Sequence, residues 1–215
     1  MLKVKKFTVN PVQENCYVVS DETKKEAVII DCGCFDEFEW DDIENYIKNN
    51  GLKPMHLLNT HLHFDHSLGN HFAYKAFGLK PEASINDSST YENMRNQLRM
   101  FLGTDELYHE QPAIGRDLKQ NDKVEFGKTV FDVIETPGHT PGGICFYCKE
   151  EGMLWAGDTL FRGSIGRTDL PGGNYRELVY GIAEKLLTLP EDTQVYCGHG
   201  PSTSIGFEKD NNPYL

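Results

Sequence analysis

Short apolar runs, separated by charged or glycine-containing turns, recur along the chain and predict most of its strands. The run at 27–31 is continuously apolar up to its last residue and lies between charged residues and Gly33, as is typical of a buried strand. The same reasoning predicts further strands in the first part of the chain at 2–9, 16–20, 55–59 and 82–86. In the second part it predicts two hairpins and a last core strand, at 123–126 with 129–135, at 144–148 with 153–156, and at 194–197.

Helical periodicity predicts three helices between these strands, at 38–50, 67–77 and 174–187. In the first of them Ile43 and Ile47 lie four residues apart, acidic residues crowd the first turn, and Gly51 can cap the end. The third is followed by Pro190, which cannot continue a helix. A chain of 215 residues with this alternation is expected to form a single domain over 1–215.

One segment, at about 87–111, interrupts this alternation and is predicted to be a helical insertion. Ser89 and Glu92 have the spacing of a capping box. Apolar residues then recur at helical spacing, which predicts a packing face formed by Tyr91, Met94, Leu98 and Phe101. An insertion of this kind can wall or cover a site on the domain.

The charge of the chain limits its partners. The formal net charge is −12, and such an acidic surface disfavours nucleic acids and anionic membranes. No apolar run approaches the roughly 18 residues that a membrane span needs. The start of the chain is basic, but no apolar signal segment follows it. The expected location is therefore the cytoplasm, where the six cysteines would remain thiols.

The cysteine spacing gives little support for a metal or redox site. Cys145 and Cys148 have CxxC spacing, but they lie in a predicted strand, where residues three apart face opposite sides. Cys32 and Cys34 flank Gly33 after a strand, and no second pair lies nearby to complete a zinc site. These pairs are interpreted as structural.

The densest chemistry lies in the heptapeptide at 60–66, Thr-His-Leu-His-Phe-Asp-His. It places four potential metal ligands within six residues, namely His61, His63, Asp65 and His66. Polar side chains packed this closely are hard to explain unless they coordinate a metal. The segment follows a predicted strand, and open α/β sheets bind ligands at the carboxyl ends of their strands.

Three further candidates lie in turns that follow other predicted strands. His139 follows Thr-Pro-Gly, Asp158 follows a glycine, and His199 lies between Gly198 and Gly200. Glycine allows the backbone to turn sharply where a side chain must face a metal. By contrast, His56, His71 and His109 lack such a setting and are not predicted to be ligands.

The pattern His-x-His-x-Asp-His resembles the signature of the metallo-β-lactamase-fold hydrolases. The three later candidates stand in that family's order, and the similarity extends from about residue 10 to about residue 201. The resemblance implies an α/β fold of the αββα four-layer sandwich type. Within the family, the chain is most similar to the small glyoxalase II-type thioesterases, which cleave hydroxyacylglutathione thioesters.

The resemblance also implies the role of each candidate residue. His61, His63 and His139 would hold one metal; Asp65, His66 and His199 would hold a second; and Asp158 would bridge the two. Nitrogen and carboxylate ligands suit two Zn²⁺ ions, with Fe or Mn as alternatives. The metals would share a hydroxide that attacks a thioester carbonyl, and Asp65 would help to orient it.

A loop that follows Asp158 is expected to lie beside the substrate. Arg167 resembles the position at which glyoxalase II enzymes carry a basic residue for a glutathione carboxylate. An alternative is that Arg167 pairs with Asp169 to hold the loop. The chain ends soon after the last candidate ligand, whereas larger glyoxalase II enzymes continue into a helical substrate domain, so glutathione recognition is not implied.

Two other functions remain open at this point. Iron-dependent glutathione persulfide dioxygenases resemble the chain in the same residues and in the Gly-Arg-Thr-Asp segment at 166–169. A non-enzymatic binding protein of the same fold is the third option, although such members would be expected to lose ligands. The metal, the acyl group, the thiol carrier and the oligomeric state are not determined by the sequence.

Overall fold

The computed structural model describes residues 2–215 and contains two six-stranded mixed sheets. In the first sheet, β1 to β3 are antiparallel, and β3 to β6 run parallel to one another. Its strands follow chain order: β1 (Leu2–Val9), β2 (Glu14–Asp21), β3 (Glu26–Ile30), β4 (Lys53–Leu58), β5 (Pro81–Ala83) and β6 (Arg116–Asp117).

The second sheet has the spatial order β14-β13-β10-β9-β8-β7. Its strands are β7 (Lys123–Phe126), β8 (Thr129–Glu135), β9 (Ile144–Cys148), β10 (Met153–Gly157), β13 (Gln194–Cys197) and β14 (Thr203–Ser204). Between β10 and β13, the chain forms a small ribbon from β11 (Leu160–Phe161) and β12 (Ser164–Ile165). Only β10 and β13 pair in parallel within this sheet, which places the residues after both strands at the same edge.

The two sheets pack face to face through one apolar cluster. Val19 and Leu58 of the first sheet belong to it, as do Phe131 and Trp155 of the second. The Trp155 ring is stacked on Tyr196, with ring centroids 5.1 Å apart. Large buried aromatic side chains contribute much of the apolar area that holds two sheets together.

Helices cover the outer face of each sheet. The helices are α1 (Glu37–Asn49), α2 (Phe64–Ser67), α3 (Asn70–Phe77), α4 (Ser88–Glu92), α5 (Met94–Leu102), α6 (Tyr175–Gly181) and α7 (Ile205–Asn211). Ile43 of α1 and Phe72 of α3 pack on the first sheet. Leu178 of α6 and Ile182, in a π-helical continuation of α6, pack on the second. The αββα prediction is therefore confirmed.

Several predicted element boundaries were wrong. The helix predicted at 67–77 begins only at Asn70, and a separate short helix, α2, ends at Ser67. The strand predicted at 82–86 ends at Ala83 and is followed by a 3₁₀ turn. The predicted capping box is also wrong, since Ser89 lies inside α4 and Asp87 occupies the N-cap position. Helix α7 was not predicted.

The segment at 87–111 packs against its neighbours through most of its predicted stripe. Tyr91, Met94 and Leu98 are buried beside Leu62, but Phe101 remains 39% exposed. Phe101 stacks on Phe64, with ring centroids 5.6 Å apart. The stripe is thus partly a packing face and partly a surface next to the segment at 60–66.

All six cysteines are buried and none forms a disulfide. Cys145 packs with the outer cluster of the second sheet and Cys148 with the cluster between the sheets, so the two face opposite sides as predicted. Across residues 2–215, no helix has the length and apolar character needed to cross a membrane.

Candidate metal centre

The seven predicted ligands lie together at one end of the sandwich, where four strands end. The segment at 60–66 follows β4, His139 follows β8, Asp158 follows β10, and His199 follows β13. Residues from both sheets therefore contribute to one site, which lies at the strand ends as the sequence indicated.

The seven side chains form two adjacent groups. In the first, ligand atoms of His61, His63 and His139 all lie within 4.8 Å of one another. The His63 Nδ1 and His139 Nε2 atoms are 3.0 Å apart. In the second group, ligand atoms of Asp65, His66 and His199 also lie within 4.8 Å of one another.

Asp158 lies between the two groups. Its Oδ1 atom is 3.3 Å from His66 Nε2, and its Oδ2 atom is 3.6 Å from His139 Nε2. Oδ2 is also 3.7 Å from the Nε2 atom of His199. One carboxylate thus faces imidazoles of both groups, which is the arrangement expected of a bridging ligand.

Unpaired atoms in the site fit bound metals. Three buried ligand atoms have no hydrogen-bond partner within residues 2–215: His61 Nε2, His66 Nε2 and Asp158 Oδ1. Buried polar atoms are normally paired, because an unpaired one costs free energy. Five imidazoles and two carboxylates are a donor set suited to divalent transition metals, including zinc, iron and manganese.

Burial and the neighbouring carboxylates affect the ligands differently. Burial, with the nearby His139, lowers the pKa of His63 to about 4, and burial also lowers the pKa of His61. Both imidazoles are therefore neutral at pH 7, which is the form that binds a metal. Burial opposes protonation of His66 as well, but the carboxylates of Asp158 and Asp65 outweigh it and raise its pKa. The raised pKa favours the protonated, positively charged form of His66. In the metal-bound site, a metal cation would replace that charge.

Backbone carbonyls orient two of the histidines. The Nδ1 atom of His139 lies 2.7 Å from the Arg167 carbonyl oxygen, so a protonated Nδ1 donates there and leaves Nε2 facing the site. His199 Nδ1 lies 3.1 Å from the Val12 carbonyl oxygen, with the same consequence. Contacts of this kind fix the tautomer and the ring orientation of metal-binding histidines.

Two buried carboxylates behind His66 were missed by the sequence analysis. The Oδ2 atom of Asp31 is 3.1 Å from His66 Nδ1, and Oε1 of Glu14 is 3.8 Å from the same atom. Asp31 also accepts hydrogen bonds from the backbone and the hydroxyl of Thr60, each at 2.7 Å. In the sequence, Asp31 is distinguished only as a carboxylate at the end of an apolar run. Its partner, His66, lies 35 positions further along the chain (66 − 31).

Asp87 is a further residue that the sequence did not single out. Its buried carboxylate accepts hydrogen bonds from the Leu62 nitrogen at 3.0 Å, from the Thr140 hydroxyl at 2.9 Å and from the Gly142 nitrogen at 2.6 Å. It therefore connects the 60–66 segment to the turn that carries His139. Burial raises the pKa of Asp87, although these hydrogen bonds oppose that shift.

We expect Asp87→Ala to lower the free energy of unfolding by about 3 kcal/mol, because two buried backbone donors and a hydroxyl lose their acceptor. Metal affinity should fall as well, since both ligand-bearing segments are loosened. Urea unfolding followed by circular dichroism, together with metal titration, would measure both effects. The matched control is Asp42→Ala on the exposed face of α1, and an equal loss in both variants would contradict this role.

Close packing around the site requires two of its glycines. Gly157 has a φ angle of +49°, and a Cβ atom there would lie 2.1 Å from the Thr60 hydroxyl oxygen. A Cβ atom at Gly198 would lie 2.3 Å from Asp158 Oδ1. Side chains at either position would displace groups that form the site.

The three remaining histidines lie outside the two groups of predicted ligands. The Nδ1 atom of His56 is 2.5 Å from Glu82 Oε1, at the edge between the sheets. The rings of His71 and His109 are stacked with centroids 4.3 Å apart, next to Phe72. None of them belongs to a candidate ligand group of the described residues.

The sequence pattern of the Metallo-beta-lactamase superfamily matches residues 9–199, a range that includes all seven predicted ligands. The chain belongs to that superfamily. Among curated proteins, it is 36% identical over 216 residues to the probable metallo-hydrolase YqgX of Bacillus subtilis, covering 100% of this chain and 98% of that protein. It is 34% identical over 222 residues to the hydroxyacylglutathione hydrolase GloC of Haemophilus influenzae, with the same coverage of 100% and 98%.

Solved structures of superfamily members agree with this assignment. BLEG-1, described as a B3 metallo-beta-lactamase, superposes with a TM-score of 0.88 at 34% identity and covers 100% of this chain and 99% of its own. TTHA1623, solved in a di-iron-bound form, has a TM-score of 0.85 at 36% identity, with coverage of 99% and 100%. The chain is therefore homologous to a probable metallo-hydrolase over its whole length. One of the similar structures holds two irons.

Proposed function

We propose that this superfamily member is a metal-dependent hydrolase that cleaves thioesters, of the type that acts on hydroxyacylglutathione. The observation that carries the proposal is the position of Asp158, whose carboxylate lies 3.3 Å from His66 of one group and 3.6 Å from His139 of the other. That arrangement suits two metals, with zinc favoured and iron or manganese as alternatives. Similarity to GloC over the whole chain supports the thioester as substrate.

When bound, a metal pair lowers the pKa of a water molecule and polarises a carbonyl group. The chain's own residues would position these groups. Asp65 lies 3.3 Å from His199 Nε2 through its Oδ2 atom and would orient the attacking water as well as bind metal. The leaving thiolate requires little protonation, because the pKa of a thiol is near 8.5. A thioester can therefore be cleaved without a dedicated general acid.

The proposal is tested by two assays on purified protein with its metal content measured. In the first, a lactoylglutathione-type thioester is supplied without oxygen; in the second, glutathione persulfide is supplied with oxygen. We expect thiol release in the first assay, unchanged when oxygen is present. Oxygen consumption in the second, with no thiol release in the first and about one iron per chain, would instead support a persulfide dioxygenase.

A separate experiment decides whether Arg167 binds a substrate carboxylate, as the sequence predicted, or pairs with Asp169 to hold the loop. Its guanidinium forms two hydrogen bonds with Asp169, Nε to Oδ1 at 2.7 Å and Nη2 to Oδ2 at 2.8 Å. Its carbonyl oxygen also orients His139. The pair is exposed, so its direct contribution to stability is small, but it holds the loop that carries this carbonyl.

We expect Arg167→Ala and Asp169→Ala to lower kcat/KM by similar factors, on neutral and on anionic thioesters alike, because both changes loosen the same loop. Steady-state kinetics of the two variants on both substrates measures this. If Arg167 instead binds a substrate carboxylate, its loss should weaken anionic thioesters alone by about ten- to a hundredfold, the effect of one charge-assisted hydrogen bond.

A further inference from the structure

The turn between β1 and β2 lies against the second ligand group, which is formed by Asp65, His66 and His199. Two of its residues, Asn10 and Gln13, have left-handed backbone conformations, with φ angles of +53° and +60°. Residues other than glycine seldom adopt this conformation, and asparagine is among those that tolerate it best. The contacts of Asn10 explain why the turn has this shape.

The side-chain amide of Asn10 binds backbone groups with both of its ends. Its Oδ1 atom accepts hydrogen bonds from the nitrogen of Val12 at 3.1 Å and, at the longer distance of 3.5 Å, from that of Glu14. Its Nδ2 atom donates to the carbonyl oxygens of Gly33 at 3.0 Å and of Asp65 at 2.9 Å. An asparagine amide has two donors and one acceptor oxygen, so these partners also fix its orientation. Asn10 therefore connects three separate segments.

Two ligands of the second group are connected to Asn10 through backbone carbonyls. Asp65 is connected directly, because its carbonyl oxygen accepts from the amide. His199 is connected through the turn, since its Nδ1 atom lies 3.1 Å from the Val12 carbonyl oxygen and 3.2 Å from that of Gln13. The amide that shapes the turn thus also places the carbonyls that orient His199.

The third ligand, His66, is connected through the segment after β3. Its Nδ1 atom lies 3.1 Å from Asp31 Oδ2. Two residues further along the chain, Gly33 accepts from the Asn10 amide, and its nitrogen donates to the Asp31 carbonyl oxygen at 3.1 Å. A Cβ atom at Gly33 would lie 1.7 Å from the Asp65 carbonyl oxygen. This close approach leaves little freedom between the segment and Asp65.

Other residues hold the first ligand group. The carbonyl oxygen of Arg167 orients His139, and Asp87 connects the two segments from which that group is built. In the part of the chain that the structure describes, the hydrogen bonds of Asn10 reach none of the three histidines of the first group. The two groups therefore have separate supports.

We propose that Asn10 is a positioning residue for the second metal. It touches no metal itself and acts through the Asp65 carbonyl and through the turn that orients His199. Its loss weakens the second site and leaves the first intact. The inference rests on the two-metal centre of the proposed function and is independent of the substrate.

The test is zinc binding by Asn10→Gly, a change that permits the left-handed backbone and removes the amide. Metal-free protein is dialysed against buffered zinc, and bound zinc is determined by elemental analysis. We expect the first zinc to bind as in the original protein and the second to bind about ten- to a hundredfold more weakly, as is typical when a group that orients a metal ligand is lost. Asn121→Gly is the matched control, because Asn121 is exposed, has a φ angle of +69° and bonds to Gln120. It should bind both zincs normally.

Double variants show which site is affected. In a His63→Ala protein the second group remains, and adding Asn10→Gly should weaken its zinc by the same ten- to a hundredfold. In a His199→Ala protein the first group remains, and the added change should have little effect. Equal weakening in both backgrounds, or in neither, would overturn the proposal, because a general loosening of the fold would not separate the two groups.

A second substitution tests the donated hydrogen bonds alone. Asn10→Asp retains the size of the side chain and the acceptor for Val12, but its carboxylate cannot donate to the carbonyl oxygens of Gly33 and Asp65. It should also weaken the second zinc selectively, relative to an Asn121→Asp control with the same change in charge. Normal binding of the second zinc by Asn10→Asp would show that these bonds do not position the site.

These measurements use no thioester, so the two proposals can fail separately. If zinc is lost selectively from the second site but no thioester is cleaved, the proposed function fails and the role of Asn10 stands. If thioesters are cleaved but Asn10→Gly binds both zincs like its control, the role of Asn10 alone fails. An original protein that binds a single zinc would also overturn that role, whatever its activity.

Discussion

Asp158→Ala is expected to remove most of the bound metal and nearly all turnover together. The carboxylate faces imidazoles of both ligand groups, and its Oδ1 atom has no hydrogen-bond partner within residues 2–215. Loss of an outer partner of a metal ligand typically costs ten- to a hundredfold in metal affinity or activity. Loss of a ligand shared by two metals should exceed roughly a hundredfold.

The measurements are elemental analysis and thioester hydrolysis on the same preparation. Asp132→Ala is a matched control, because this residue lies on β8, partly exposed, and pairs with Lys123 far from the site. It should retain its metals and its turnover. A variant of Asp158 that kept two metals and normal activity would show that the bridging assignment is mistaken.

Removal of the metals is expected to lower the stability of the whole protein. The centre brings three carboxylates that repel one another, Asp65, Asp158 and Asp31, around the buried His66. Metal that binds only the folded chain stabilises it by about 2.7 kcal/mol when its free concentration is a hundred times the dissociation constant. Chelation should therefore lower the midpoint of thermal unfolding by several degrees.

Differential scanning calorimetry before and after chelation measures this effect. Adding back zinc, iron or manganese separately, with metal content determined each time, shows which ion restores the midpoint and how many bind. The same experiment on Asp158→Ala provides the control, because chelation should change that variant much less. An unchanged midpoint in the original protein would mean that the site binds metal weakly or not at all.

The parts of the structure that were predicted correctly depend on local patterns. The run at 27–31 and the segment at 60–66 could be interpreted because their residues are neighbours in the chain. His139, Asp158 and His199 each follow a strand with a glycine-containing turn, and the structure brings all three to the same edge. Their roles as ligands still await the metal measurements described above.

The parts that were missed depend on contacts between distant residues. Asp87 looked like an ordinary polar residue, and only folding brings it against Leu62 and Gly142. Glu14 is fully buried behind His66, yet nothing next to it in the sequence indicates burial. Helix α7 is short and mostly polar, and it is stabilised by the buried Glu208, which accepts a hydrogen bond from the Gly163 nitrogen at 2.9 Å.

The burial of all six thiols provides the protein with a built-in reporter of opening. A thiol-reactive dye can modify these side chains only after the surrounding structure separates, so the labelling rate of each cysteine measures how often its region opens. Cys16, Cys32 and Cys34 report on the outer cluster of the first sheet, and Cys145 and Cys197 on that of the second. Mass spectrometry of labelled peptides would then show which half of the sandwich opens first, with no engineered probe.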